Sequence, residues 1–324
     1  MTTNKEDLNM KSNLTRLILW PLFLVIMILP GDAAHSADAL RFGVLPVVDT
    51  LPLWVGIEEG YFAAENIELK MVPFQSALER DAALQAGRLD GYFGDLLNTV
   101  LLINAGQSLG IVCTAYHSHP GQRMFALVTA PGSEITAPDQ LKGQAVAISR
   151  ATVIEYLLDR FLAARSLPED WVVKQEIKKM PIRLQMLLAG KIPAALLPEP
   201  LVTLAETKGA KALLDDRDLD ASLTVLALKR EPADARPDLA ARFLKAYGAA
   251  VAAINGAPEK YKALLTAKTR VPKPVENQYQ IPVFPEVKLP SPADVNAAQA
   301  WLIKRGMQQT PLAYEKIVLS AKTP

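Results

Sequence analysis

From residue 40 to about residue 230 the hydrophobic positions follow two alternating rhythms. Short apolar runs give way to longer stretches in which apolar side chains recur every three or four residues, the pattern of strands and amphipathic helices in turn. Strands are expected at 41–46 (RFGVLP), 67–74 (IELKMVPF), 89–94 (LDGYFG) and 109–116 (LGIVCTAY), with helices at 51–66, 76–86 and 96–105 between them. After Pro131-Gly132, where the chain is expected to cross to a second lobe, the unit repeats: strands at 144–149, 172–177 and 194–197, helices at 152–165, 181–188 and following Pro198-Glu199-Pro200. A strand at 222–228 (SLTVLAL) then returns to the first lobe. Helices are expected at 237–255, 258–269, 291–305 and 311–319, with a Pro-rich connector at 271–290 that packs on the surface through residues such as Tyr279, Ile281 and Phe284. Such alternation implies an α/β fold of two lobes, each a mostly parallel sheet flanked by helices, with a ligand cleft between them.

The residues before this pattern concern the compartment. Lys5, Lys11 and Arg16 precede an apolar stretch from Leu17 to Leu29, broken only by Pro21 and followed by small residues that include Ala37 and Ala39. The stretch is shorter than the roughly 20 residues a spanning helix needs, so it reads as an export signal. Ala37-x-Ala39 places cleavage after Ala39, with Ser36 as the second choice; an uncleaved anchor is the competing reading. The expected plan is a signal peptide at 1–39, the first part of lobe 1 at 40–130, lobe 2 at 131–220, and the return of lobe 1 with the C-terminal helices at 221–324.

Composition narrows the function classes. With 324 residues, half of them hydrophobic, the chain can bury a core in each lobe. A formal net charge of +1 gives no bulk attraction for nucleic acid. The single cysteine, Cys113, rules out an intramolecular disulfide, and no cysteine stands at the cleavage point to carry a lipid. A soluble, exported, periplasmic monomer is expected.

Candidate chemistry lies where strands turn into helices, because helix N-termini converge there with unsatisfied N–H groups. Asp49-Thr50 precedes Leu51-Pro52; Ser76-x-x-Glu79 and Thr152-x-x-Glu155 are capping boxes after strands; Asp95 can cap the helix at Leu96; Glu199-Pro200 completes the set. Each is also what helix stability alone requires. The nearby aromatics Trp54, Tyr92, Phe93, Tyr116 and Tyr156 can stack on a planar ligand; Trp54 and Phe93 suit a core better, whereas Tyr116 and Tyr156 have polar tips beside loops. Cys113, His117 and His119 share one face of an extended strand, but a buried cysteine before a polar loop explains them without a metal. No phosphate-binding Gly-rich loop, H-E-x-x-H or G-x-S-x-G is present.

The segment LPLWVGIEEGYFAAENIEL at 51–69 resembles a stretch of the nitrate, sulfonate, taurine and thiamine-precursor binding proteins of ABC importers. AALQAGRLD at 82–90, LLAGKIPA at 187–194 with Pro198-Glu199-Pro200, and ITAPDQLKGQAV at 135–146 resemble further motifs of that family. The likeness runs over roughly residues 41–250. It implies the two-lobed type II periplasmic-binding-protein fold, no catalysis, no cofactor, a small-molecule solute and an ABC permease in the inner membrane as partners.

Matching loops to that family points to Asp49, Thr50, Gln75, Ser76, Asp95, Asn98, Tyr116, Ser149, Arg150, Thr152, Tyr156 and Glu199 as ligand-facing. Arg150 can fork onto two oxygens of a sulfonate, phosphonate or carboxylate, which favours an oxyanion. Asp49, Asp95 and Glu199 would suit an amine or aminopyrimidine instead. An enzyme of elimination type on the same fold, and an exported sensing partner of a membrane receptor, are the other readings.

Overall fold

The computed structural model describes residues 37–269 and 271–320. The first lobe begins with β1 (Asp38–Val44), then α1 (Leu51–Glu58), α2 (Tyr61–Ala64), β2 (Ile67–Pro73), α3 (Ala77–Gln85), β3 (Gly91–Asp95), α4 (Leu96–Asn104) and β4 (Leu109–His117). The second comprises β5 (Phe125–Thr129), β6 (Ala145–Ile148), α5 (Val153–Ala164), β7 (Val173–Glu176), α6 (Met180–Leu188), β8 (Ala194–Pro198), α7 (Leu201–Thr207) and β9 (Ala212–Asp215). The chain returns through β10 (Ser222–Lys229), α8 (Arg230–Ala235), α9 (Leu239–Gly256), α10 (Lys262–Thr269), α11 (Pro292–Lys304) and α12 (Tyr314–Ile317).

Two five-stranded sheets result, ordered β2-β1-β3-β10-β4 and β7-β6-β8-β5-β9. The same plan occurs twice: three parallel strands, then an antiparallel strand that has just crossed from the other lobe, then the strand from which the chain leaves. Each sheet is mixed, with four strands running one way and one reversed: β10 is antiparallel to β3 and β4, and β5 is antiparallel to β8 and β9. The run FALVT lies outside the expected strands, yet its five residues are buried as β5 in the second sheet. The first crossing thus falls between β4 and β5, ahead of Pro131-Gly132. An apolar run bounded by loops gives no sign of which sheet it enters, because its partners β8 and β9 are distant in sequence.

The helix expected at 51–66 is split in two. Gly60 adopts φ +74°, a left-handed conformation that glycine takes without a Cβ clash, and α2 starts anew after it. At the C-terminus only Tyr314–Ile317 is helical, because Val318 leaves the helix to bridge Ile111 at the edge of β4.

β1 contains Asp38 and Ala39, which pair with Ile67 and Glu68 of β2. The Asp38 carboxylate bonds Arg236 and Arg242, whose guanidinium groups hold it below the usual carboxylate range despite partial burial. A cut after Ala39 would remove this end of the strand, whereas a cut after Ser36 keeps it. The remainder of the proposed signal lies outside the described residues. Among those described, no helix is long and apolar enough to cross a membrane.

Candidate functional site

The segments joining the two sheets are tied to each other. Ser118 N–H donates to Ala221 O at 2.9 Å, and Ala221 N–H donates to Ser118 Oγ at 2.8 Å. Asp216, fully buried, accepts the N–H groups of Met124 and Phe125 through one oxygen and the Tyr116 hydroxyl proton through the other. Tyr116 thus ties the end of β4 to the residue after β9, and it does not line the interlobe cavity.

Between the lobes lies a small cavity with about 80 Å³ of free interior volume. Its walls come from the carboxyl ends of the parallel strands in both sheets, where helix N-termini gather. Leu45, Val47, Phe93, Phe125, Met180 and Pro198 supply an apolar lining. Ser76, Ser149, Thr152 and Thr224 add hydroxyls, and Asp49, Asp95, Arg80, Lys178 and Arg183 add charge.

The capping residues behave as their sequence requires. Ser76 accepts the Glu79 N–H at 3.3 Å while Glu79 accepts the Gln75 N–H at 3.2 Å. Asp95 accepts the Asn98 N–H at 2.8 Å, and Thr152 accepts that of Ile154 at 3.2 Å. Burial pushes the Asp95 carboxyl up to about 6, with its cap bond and the nearby Arg80 opposing the shift. Asp49 is also pushed up to about 6 by burial; its side-chain partner is the Thr224 hydroxyl at 2.8 Å.

Two buried cations on this wall are not among the residues expected from sequence. Arg80 and Arg183 are 1% and 0% exposed. They occupy equivalent places in the two lobes: each is the fourth residue of the helix that follows the sheet's outermost parallel strand, α3 after β2 and α6 after β7. Each also sends Nη1 to the carbonyl of the third residue of the central strand, Phe93 in β3 at 2.7 Å and Leu196 in β8 at 3.2 Å.

Their remaining partners differ. Arg80 is neutralised in place by Asp81 at 2.6 Å, bonds Asn98 Oδ1 at 2.9 Å, and lies 4.5 Å over the Tyr92 ring. Arg183 donates Nε and Nη2 to the Ile177 carbonyl, and among the described residues no carboxylate pairs with it. Burial alone pushes its guanidinium down to about 10. A signal was available in the sequence. Arg80 shares an inward helix face with Ala83 and Leu84, and Arg183 with Leu184 and Leu187, so each arginine occupies a position where the pattern calls for an apolar residue.

Of the residues chosen from sequence, Asp49, Ser76, Asp95, Ser149 and Thr152 converge on this cavity. Gln75 and Glu199 line an adjoining groove. Asn98 stands behind Arg80, and Thr50 is buried with its hydroxyl donating to the Val47 carbonyl. Tyr156 packs edge-on against Trp301 and accepts a bond from Arg160, away from the cavity. Arg150 is half-exposed and donates to the Lys174 carbonyl at 3.2 Å, outside the cavity wall. Cys113 is fully buried in β4, and among the described residues no group of three His, Cys, Asp or Glu side chains is placed to hold a metal.

Comparison with curated protein sequences returns no match. Solved structures share the fold. A ligand-binding component of an ABC-type import system from Staphylococcus aureus, with zinc bound, is 19% identical with a TM-score of 0.74, over 87% of this chain and 97% of that one. The periplasmic aliphatic sulphonate binding protein SsuA from Escherichia coli is 19% identical with a TM-score of 0.73, over 89% and 94%. The desulfurization enzyme DSZB is 17% identical with a TM-score of 0.63, over 87% and 96%. The family model of the NMT1-like family matches residues 33–268, well over half of the sequence, and the chain therefore belongs to the NMT1-like family.

Proposed function

We propose that this protein is an exported solute-binding protein, which holds a small organic anion such as a sulfonate or carboxylate between its lobes and delivers it to an ABC importer in the inner membrane. The observation that carries this reading is Arg183: a fully buried guanidinium on the cavity wall, satisfied in part by backbone carbonyls and, among the described residues, paired with no carboxylate. A buried cation without a counter-charge is costly, and an oxyanion that accepts two parallel N–H bonds from its fork offsets that cost on binding. The import proteins of the same fold, one of them a sulphonate binder by description, support the same class.

One observation favours a second reading. Asp49 is a buried carboxylate on the same wall with no cationic partner among the described residues, which suits an amine or aminopyrimidine. The fold is also used by an enzyme, but the one thiol of this chain, Cys113, is walled into β4 and supplies no nucleophile to the cavity.

A thermal-shift screen of the exported protein against alkanesulfonates, nitrate, phosphonates, carboxylates, polyamines and aminopyrimidines separates the readings. Binding at 100 times Kd adds about 2.7 kcal/mol, which raises Tm by several degrees. Stabilisation by sulfonates or carboxylates and not by amines is expected; stabilisation by amines alone overturns the anion reading. Recovery of the bound compound unchanged distinguishes a receptor from an enzyme.

A further inference from the structure

Two contacts between the lobes differ in their chemistry. At the lips, α3 and α6 meet through Glu79 and Lys179 at 3.1 Å, a pair more than a third exposed on both sides, which separates at little cost. Elsewhere α5 of the second lobe is fastened to α11. The Asp159 carboxylate, 4% exposed, accepts the Trp301 indole N–H at 2.9 Å and pairs with Arg305, while Arg305 and Lys304 hold Glu169 at 3.2 and 2.6 Å. The Trp301 ring stands edge-on to Tyr156 of α5 at 5.8 Å. α11 itself is built into the first lobe: it packs along α4, buries Val295 and Leu302 completely, and accepts the Ser222 hydroxyl of β10 at Asp294. Parting α5 from α11 would strip a buried carboxylate of a cation and a donor, leaving Lys174 as its ion-pair partner among the described residues. That is far costlier than parting an exposed pair.

The α5–α11 contact is linked to the ligand site along α5. The first turn of this helix and the loop before it, through Ser149, Thr152, Val153 and Ile154, wall the cavity. In that loop Ala151 takes φ +56°, a left-handed conformation unfavourable for a residue with a Cβ, and its N–H donates to the buried Glu155 at 2.9 Å. Glu155 shares Lys174 with Asp159, at 3.3 and 2.5 Å. A row of charge, most of it buried, thus runs from the cavity wall to a helix of the opposite lobe. We propose that Asp159, Trp301 and Arg305 are positioning residues for ligand capture: they hold α5 on the first lobe while the lips at α3 and α6 part, and so fix the second lobe's wall at the distance that grips a ligand. The proposal rests on the reading of the protein as an interlobe receptor and adds the residues that set its closure.

Spin labels at Leu78→Cys and Ile182→Cys, two exposed positions on the lips, report lobe separation by double electron–electron resonance, with Cys113 too buried to label. The empty protein is expected to give one narrow distance distribution. Arg305→Met and Trp301→Phe should each broaden it and move it outward by several ångströms, and Arg305→Lys, which keeps a cation beside Asp159, should stay close to the original. Arg41→Met, which breaks the Asp90 pair inside the first lobe, should leave it unchanged. Circular dichroism melts verify that each variant is folded. Titration with methanesulfonate should show an affinity about three- to tenfold lower in Arg305→Met and Trp301→Phe, since a smaller fraction of the protein is then poised to bind. Distributions in both variants that match the wild type overturn the proposal, as does an equal change in Arg41→Met. The distances are read without ligand, so failure of methanesulfonate to bind the wild type counts against the anion reading alone, and the lip separation still decides the role of the α5–α11 contact.

Discussion

Replacing Arg183 with methionine separates the stability of the empty protein from its affinity for an anion. At neutral pH the guanidinium is charged in both folded and unfolded chains, yet burial depresses its folded value to about 10 from an ordinary 12.5. That difference is a standing cost of roughly 3 kcal/mol to the folded state, relieved only in strong alkali. Methionine removes this cost but leaves the Ile177 and Leu196 carbonyls without their donors, at about 1–3 kcal/mol each. The two effects oppose, so the unliganded variant should melt within a few degrees of wild type. Anion binding has no such compensation. Truncating one partner of a buried, hydrogen-bonded charge pair costs about 2–5 kcal/mol, a loss of roughly 30-fold to several thousand-fold in Kd. Arg183→Lys keeps the charge without the planar fork and should fall between the two. Arg150→Ala is the matched control: its side chain is half-exposed and turned onto Lys174, so the change in Kd should stay within about threefold. Titration of wild type and the three variants with the best anion from the screen decides the matter. An Arg183→Met protein that binds within threefold of wild type, or an Arg150→Ala protein that loses binding, refutes the reasoning.

Further outcomes follow from the same geometry. Asp49 and Asp95 have folded pKa values of about 6 against 3.8 in the free residue, so the folded state retains protons that the unfolded chain has released. Stability should therefore be fully present below about pH 4 and decline as pH rises to 6, by up to about 3 kcal/mol per carboxylate. Asp49→Asn should flatten this profile, raise Tm at pH 7 and strengthen anion binding several-fold, and a weaker anion affinity in that variant would count against the assignment. Since Asp38 belongs to β1 and pairs with Arg236 and Arg242, processing should occur after Ser36. Intact-mass analysis of the expressed protein reads the cut directly, and a chain starting at Leu40 should melt several degrees below one starting at Ala37. Lys179 of the second lobe meets Glu79 of the first at 3.1 Å, but both are more than a third exposed. Lys179→Ala should change ligand affinity less than about fivefold, with any effect vanishing in high salt.

Much of the architecture is legible in local pattern. Hydrophobic period, capping boxes and Gly/Pro punctuation are short-range properties, and they place the helices after β2, β3 and β6 and the caps Ser76, Asp95 and Thr152 close to where the fold has them. Because ligands collect at the carboxyl ends of parallel strands, the same local signals were enough to bring Asp49, Ser76, Asp95, Ser149 and Thr152 to one cavity. Arg150 shows where that reasoning stops. A loop position says that a side chain starts near the cleft, not which way it turns, and this one turns to the Lys174 carbonyl.

The sign of charge at the centre of the cavity depends on residues more than 100 positions apart, Arg80 and Arg183, brought together when two separately built lobes face each other. Their burial, and the presence of a carboxylate beside one and not the other, are long-range outcomes of packing. Likewise the sheet that β5 joins is decided by pairing with β8 and β9, partners that no local periodicity can name. Sequence alone determines which segments are strands, helices and caps, since those depend on neighbours within a few residues; the tertiary structure decides strand order and which charges lose their water, since both depend on contacts closed only in the folded chain.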